Sequence, residues 1–506
     1  MHDPHLHLLV DDHEIQHYTN LLRVLNRPKK LEAPVIVPDQ PWEATQRLQA
    51  WGSVLRETDG TFRCWYYSTD NPVFDPEQMT RGGYGYAESR DGIHWEKPDL
   101  GLIEFRGSKQ NNMFYTFAPD KVQNGDYQLA LQRSGIPMYD EQGVELGLAN
   151  HMDGFTVVRD DTDPDPNQRY KLFGNMQNHL MWNQKDRYPG LTDEEAEAAL
   201  TVFGQYIDTS PDGIRWSHTP KRFTPAKYGD YMMVTRDERN RQWLLNERTV
   251  GLAGRTAGMR ASKDVWNWPA TTPMCFAPGP DTDFARKHEW HAGMTPFNYG
   301  NMDLGLLEKW TNAGQGNGCE LISHRDGQDW HRVEPGRMFL NTGPEGAFDH
   351  NMAWPTHNPP IRVGDNLHIY YTCSGMRPSA DCDTPMGIAV AIIGVDRFAG
   401  LAHARAQPGE LLTKPIVVEK PNLSLNVEGL LSPSVQVAVR AADGSFISGY
   451  EFDDSQIDLY RDPYRCAASW KTKRDLSELI GCEVWLHFRI QGAALYGYRF
   501  NDSAAK

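Results

Sequence analysis

Four carboxylates recur at one kind of place in this chain, just ahead of a run with strand composition. They are Asp153 in His151-Met152-Asp153-Gly154, Asp230 in Gly229-Asp230-Tyr231, Glu289 in Glu289-Trp290-His291 and Asp349 in Phe348-Asp349-His350-Asn351. Acids that converge on a confined space repel one another, so one keeps its proton while a neighbour stays ionised. A split of that kind is what general acid/base catalysis needs. Singly, each acid also suits a turn cap or a solvated loop; the joint pattern is what points to a site. Three histidines, His151, His291 and His350, lie within two residues of Asp153, Glu289 and Asp349. Their imidazoles suit hydrogen bonds to the hydroxyls of a polar ligand. Imidazole and carboxylate from different segments could also hold an axial metal. None of these three histidines stands in an H-x-x-x-H spacing, so no metal or other cofactor is expected. Arg248, Arg255 and Arg260, with Asn111 and Asn112, can orient an anionic or hydroxyl-rich ligand or tie neighbouring segments together.

The elements that must position these residues announce themselves by repetition. Ser89-Arg90-Asp91-Gly92-Ile93-His94-Trp95, Ser210-Pro211-Asp212-Gly213-Ile214-Arg215-Trp216 and His324-Arg325-Asp326-Gly327-Gln328-Asp329-Trp330 are nearly one sequence, and Ser262-Lys263-Asp264-Val265-Trp266 is a looser copy. Asp-Gly supplies the positive φ of a tight hairpin, and the Trp then packs across the returning strand. Recurrence along the whole chain means a repeat architecture, and a repeated hairpin with an aromatic cap reads as the outer part of a β-propeller blade. The Ser and Asp of the motif should cap their own turn and carry no chemistry.

Strand runs divide the chain accordingly. Residues 1–45 form a Pro-punctuated entry segment; 46–402 hold five blades; 405–506 change texture to alternating strands and read as a separate C-terminal β-sandwich. The fold class is therefore all-β, a five-bladed β-propeller followed by a β-sandwich. Inner strands are expected near 52–56, 155–159, 231–234, 292–297 and 352–356, around one axis. Blade starts then converge on one end of a central channel, which is where Asp153, Asp230, Glu289 and Asp349 fall. Blade one begins Ala50-Trp51-Gly52 without an acid, and the nearest is Glu43. Residues 191–200 read as a helical insertion capped by Thr192.

Composition narrows the partners. With 51 Lys+Arg against 67 Asp+Glu, a net charge of -16 and no basic run, neither nucleic acid nor an anionic membrane is an expected partner. Fifteen Trp, 21 Tyr and 19 Phe, with 44 Gly and 33 Pro, suit many strands joined by turns, and some of those rings suit the apolar faces of sugars. Seven scattered cysteines without C-x-x-C spacing read as mostly reduced, buried thiols. The opening Met1-His2-Asp3-Pro4-His5 carries no export signal, so the expectation is cytoplasmic as the chain stands, or periplasmic or secreted from a longer precursor. Oligomeric state is open, a homo-oligomer included.

Five blades, acids at blade starts and a trailing β domain resemble the five-bladed propeller glycoside hydrolases, particularly the invertase and fructanase architecture of glycoside hydrolase family 32. In that family a W-M-N-D-P-N-G segment on blade one holds the nucleophile, an R-D-P on blade two a transition-state-stabilising Asp, and an E-C on blade three the general acid. Met152-Asp153-Gly154 here takes the R-D-P place, and Gly229-Asp230-Tyr231 stands near the E-C place with Asp for Glu and no Cys. The blade-one segment lacks its acid, which makes Glu43 the substitute. The resemblance implies a glycoside hydrolase in which Asp153 and Asp230 form the core pair, and a central channel closed at one end by packed aromatics makes a pocket that favours terminal sugar units, hence exo action. Glu289, Asp349 and Glu43 are its further catalytic candidates, and Trp51, His151, His291, His350, Arg248 and Arg255 bind substrate. Two other classes stay open: a lyase on an acidic sugar, with His291 or a Tyr as base, and a carbohydrate-binding propeller without turnover.

Overall fold

A computed structural model of the protein describes residues 1–43, 48–69, 82–105, 107–115, 152–176, 204–218, 220–225, 231–251, 254–270, 289–311, 317–325, 330–375 and 386–502. Apart from short 3-10 turns, the regular structure described is antiparallel sheet, and five sheets follow one another along the chain. Blade one is built from Leu48–Arg56, Phe62–Thr69, Gly82–Ser89 and Trp95–Glu96, with Met113–Tyr115 added to its third strand. Met152–Arg159, Tyr170–Met176, Gly204–Ser210 and Lys221–Pro225 make blade two, and Met232–Asp237, Gln242–Gly251 and Gly254–Ser262 make blade three. Blade four runs Glu289–Tyr299, Met302–Thr311, Cys319–His324 and His331–Arg332. Blade five runs Met352–Pro355, Asn366–Ser374 and Gly387–Gly394, and its outermost strand is Lys29–Lys30 from the N-terminal region.

The first strands of blades one to four pack each on the next, Met352–Pro355 of blade five packs on the second and third strands of blade four, and blade five returns to blade one through Asn366–Ser374 against Leu48–Arg56. That closed ring is a five-bladed β-propeller, with inner strands where the strand pattern places them. Lys29 and Lys30 close it by pairing with Ile392 and Ala391, so the last blade carries an early strand as its rim.

The S-x-D-G turns behave as their sequence demands. Ser89 Oγ accepts from Gly92 N at 2.8 Å and Ser210 Oγ from Gly213 N at 2.9 Å, while Asp91 and Asp212 each accept from the two backbone N–H groups beyond the glycine. The glycines sit at φ +76 in both copies. These turns also latch neighbouring blades. Tyr370 of blade five donates its hydroxyl to Gly92 O at 2.7 Å, and Trp65 Nε1 of blade one donates to Gly213 O at 2.7 Å. In the third copy, residues 326–329 lie outside the described structure, as does the expected helix at 191–200.

From Ala399 onward the chain supplies seven strands of a ten-stranded antiparallel sheet dominated by two 19-residue strands, Asn422–Arg440 and Glu483–Asn501. The sequence expects a self-contained sandwich here; the observed sheet also recruits Leu6–Leu8, Ile15–Thr19 and Leu21–Leu25 from the N-terminal segment. Its core, around Leu486, Phe488, Ile490, Tyr450 and Trp470, is separate from the interblade cores. Cys64, Cys319, Cys373 and Cys466 are buried free thiols, and Cys482 is exposed. Among the described residues no helix is long and apolar enough to cross a membrane.

Candidate active site

The inner strands are held to one another by a belt of hydrogen bonds that spans all five blade junctions. Ser53 Oγ accepts from Val157 N at 2.9 Å, joining blades one and two, and Thr156 Oγ1 accepts from Val234 N at 3.3 Å, joining two and three. Asn246 Oδ1 accepts from Met294 N at 3.0 Å between three and four. Thr295 Oγ1 donates to Thr356 O at 3.5 Å between four and five. His357 N donates to Gly52 O at 3.0 Å and Ser53 Oγ to His357 O at 3.3 Å, which returns the belt to blade one. Inner strands of a propeller run side by side without a ladder, so their buried backbone groups need side-chain partners. Short hydroxyl and amide side chains on this face supply them.

The belt fixes a common level, and the strand heads lie above it on one rim. Here three of the five inner strands break register: between Gln49 and Ser53, between Met152 and Phe155, and between His291 and Met294. Bulges gather beside active sites because they re-aim side chains. Asp153 lies inside the second break, beside Gly154 at φ +73, and Glu289 opens the strand that carries the third, paired across from Thr311. The structure thus brings the backbones of Trp51, Asp153, Glu289 and His291 to one rim; their side chains, and that of Arg255, lie outside the described structure, as do residues Asp230 and His151.

Two of the five candidate acids are committed elsewhere. Glu43 is buried; its Oε1 accepts from Tyr66 at 2.5 Å, and its Oε2 accepts from Asp39 N, Gln40 N and Lys97 Nζ at 2.8–3.0 Å. Asp349 is buried too, salt-bridged to Lys30 Nζ at 2.6 Å and accepting from Tyr371 at 3.2 Å. Both carboxylates tie the N-terminal segment to a blade in this geometry. His350 is half-buried with Nδ1 3.4 Å from Gly343 O. Arg260 bridges blades two and three through Gln205 at 3.1 Å, Thr224 at 3.1 Å and Glu247 at 2.8 Å, which is the blade-tying role. Asn112 is likewise internal, held by Trp42, Tyr66 and the carbonyl of Tyr86.

Of the groups that fill the space under the rim, sequence reading singles out Arg248 but neither His357 nor Glu308. His357 touches blades one, two and three at once: its Nδ1 lies 3.0 Å from Phe155 O and its ring centroid 5.0 Å from that of Tyr231. Burial lowers its pKa to about 4, so the imidazole is neutral, and with Nδ1 as donor its Nε2 is a buried acceptor without a hydrogen-bond partner among the described residues. Arg248, a predicted substrate contact, is buried in this region and its charge acts on Glu308 of the neighbouring blade. Glu308 has no exposed surface and sits inside the run Leu304-Gly305-Leu306-Leu307-Glu308. An acid that directly continues an apolar run in a strand is the sequence signal that could have found it. Among the described residues no group of three or more His, Cys, Asp or Glu side chains is placed to hold a metal ion.

No protein-family model matches the chain, and no curated protein matches it. Solved structures do resemble it. A glycosyl hydrolase from Bacteroides ovatus is 13% identical over 79% of this chain and 99% of its own, with a TM-score of 0.44. A thermostable family-43 glycoside hydrolase is 11% identical over 73% of this chain and 98% of its own, at 0.43. The β-1,2-mannobiose phosphorylase of Listeria innocua is 12% identical over 74% and 98%, at 0.40.

Proposed function

We propose that this protein is a glycoside hydrolase that releases terminal sugar units at the rim of the propeller channel, with an architecture akin to glycoside hydrolase family 32. One observation carries the reading: inner strands held level by a closed belt break register at the same rim, and the breaks lie at Asp153 and just beyond Glu289. Acids carried at the heads of inner strands on separate blades stand around one channel, a placement in which one would protonate a leaving oxygen while the other attacks or activates water. Asp153 and Glu289 are the pair of choice, and Asp230, next to the buried Tyr231, is the third acid. A channel floored by His357 and Tyr231 makes a pocket and not a through-groove, which suits chain ends.

The test is a screen of aryl-glycosides and polysaccharides, followed by Asp153→Asn and Glu289→Gln on whatever turns over. Each swap keeps shape and deletes the titrating group, so kcat should fall on the order of a thousandfold while the melting temperature holds. Native turnover in both variants would refute the assignment. An unsaturated, ultraviolet-absorbing product would make the protein a lyase instead.

A further inference from the structure

Glu308 is the buried titratable group that the proposed acid pair leaves unused. It lies on Met302–Thr311, the second strand of blade four, across from the buried Cys319 and next to Lys309, which is 4.0 Å from Glu320. Its Oε1 is 3.5 Å from the hydroxyl of Tyr231, and its Oε2 has no hydrogen-bond partner among the described residues. The Tyr231 hydroxyl also reaches Met294 O at 3.4 Å. Tyr231 heads the third inner strand, and Met294 is the first paired residue after the register break in the fourth. The tyrosine gets there through a notch: a Cβ on Gly293, inside that break, would lie 2.1 Å from its ring. Tyr231 and Gly293 therefore interlock two strand heads, and Glu308 stands behind the interlock.

We propose that Glu308 is a positioning residue of the channel, working in its neutral form as the prop that holds Tyr231 in the Gly293 notch and so sets the strand head that carries Glu289 and His291. Fully buried, with a bare oxygen and no ion pair within 4 Å among the described residues, a carboxylate here would bear a large desolvation cost. Burial pushes its pKa from 4.5 up to about 8, against the pull of the Arg248 charge and the Tyr231 hydroxyl. The neutral acid needs no counter-ion and can donate as well as accept. Above that range the buried charge, with Oε2 unpartnered among the described residues, is drawn toward solvent and takes the prop away from the notch.

The proposal deepens the reading of the rim as the catalytic site, and its test has an arm that needs no substrate. A folded-state pKa raised above the unfolded one means that the native protein binds the extra proton between about pH 4.5 and 8. Wild-type stability should therefore decline across that window and level off above it. Glu308→Gln, the uncharged isostere, should match wild type at pH 4 and exceed it increasingly up to about pH 8. A melting-temperature difference that does not change with pH overturns the neutral state. Tyr231→Phe combined with Glu308→Gln should show non-additive melting temperatures, and additivity overturns the prop. On an active substrate, Glu308→Ala should lose about a hundredfold in kcat, since misplaced groups cost that much. Glu308→Gln should restore turnover and remove the alkaline limb near pH 8. A limb that persists in Glu308→Gln, or native kcat in Glu308→Ala, refutes the positioning role. Turnover that survives Asp153→Asn and Glu289→Gln refutes the acid pair while leaving the Glu308 stability signature intact.

Discussion

Lys171 shows how this chain uses charge away from the channel. Its side chain has no exposed surface, and its ammonium is held by Asp160 at 3.0 Å, Asp163 at 2.7 Å and the carbonyl of Gln168 at 2.8 Å. The acidic, Pro-rich turn 160–168 is thereby wrapped around an internal cation. Replacing Lys171 by Met should cost about 3–5 kcal/mol, because it leaves two carboxylates beside a void of positive charge. Thermal unfolding measures it, and a loss under about 1 kcal/mol would show that water takes over the lysine's place. The same distinction between acids with and without an internal cation separates the channel candidates. Glu43 and Asp349 have the right type and the right sequence distance from a strand, yet Lys97 and Lys30 reach them from the outer part of a blade or an early strand. No local pattern reveals those partners, since Lys30 lies 319 residues from Asp349. Glu308 escapes notice for the opposite reason: it lies mid-strand, where sequence reading looks for core residues.

Elements were far more legible than partners, because strand period and turn chemistry are local. The S-x-D-G motif predicts its own hydrogen bonds, as Ser89, Asp91, Ser210 and Asp212 show. What it hides is the latch, in which an aromatic of the preceding blade donates to the glycine carbonyl. The latch explains why glycine is needed twice over at 213: φ is +76, and an added Cβ would meet Trp65 Cζ2 at 2.9 Å. Gly444, at φ +83 with nothing within 4 Å, has the same backbone need without the contact. Gly213→Ala should therefore destabilise by more than Gly444→Ala, which carries only the left-handed penalty of about 1–2 kcal/mol. Trp65→Phe leaves Gly213 O buried without its donor and should cost about 1–3 kcal/mol. Equal effects of the two glycine substitutions in urea titrations would show that the latch contributes nothing.

At the scale of the whole molecule, the N-terminal segment joins the two bodies, first as strands of the C-terminal sheet and then as the rim of blade five. The junction is polar at one point. Glu14 accepts from Asn301 of blade four at 2.7 Å and from Tyr498 of the C-terminal sheet at 3.3 Å, lies 3.0 Å from His7 Nδ1, and is 3.8 Å from the Arg325 guanidinium, which also pairs with Asp11. Burial alone would raise the Glu14 pKa; the hydrogen bond and charge of His7, the Arg325 charge and the Asn301 amide more than offset this and hold it below its ordinary value of 4.5. A carboxyl whose folded pKa is depressed contributes stability that is present above the unfolded value and is lost as pH falls through the folded one. Wild type should thus lose junction stability progressively as the pH drops below about 4.5. Glu14→Gln should be less stable than wild type at pH 7 and should converge with it in acid, since the amide has no charge to lose. The contact spans three segments, so the effect should appear as earlier release of residues 1–25 in hydrogen exchange and not as loss of the propeller. A Glu14→Gln protein whose acid sensitivity matches wild type, with residues 1–25 equally protected, would mean that the apolar faces of the sheet alone hold the bodies together.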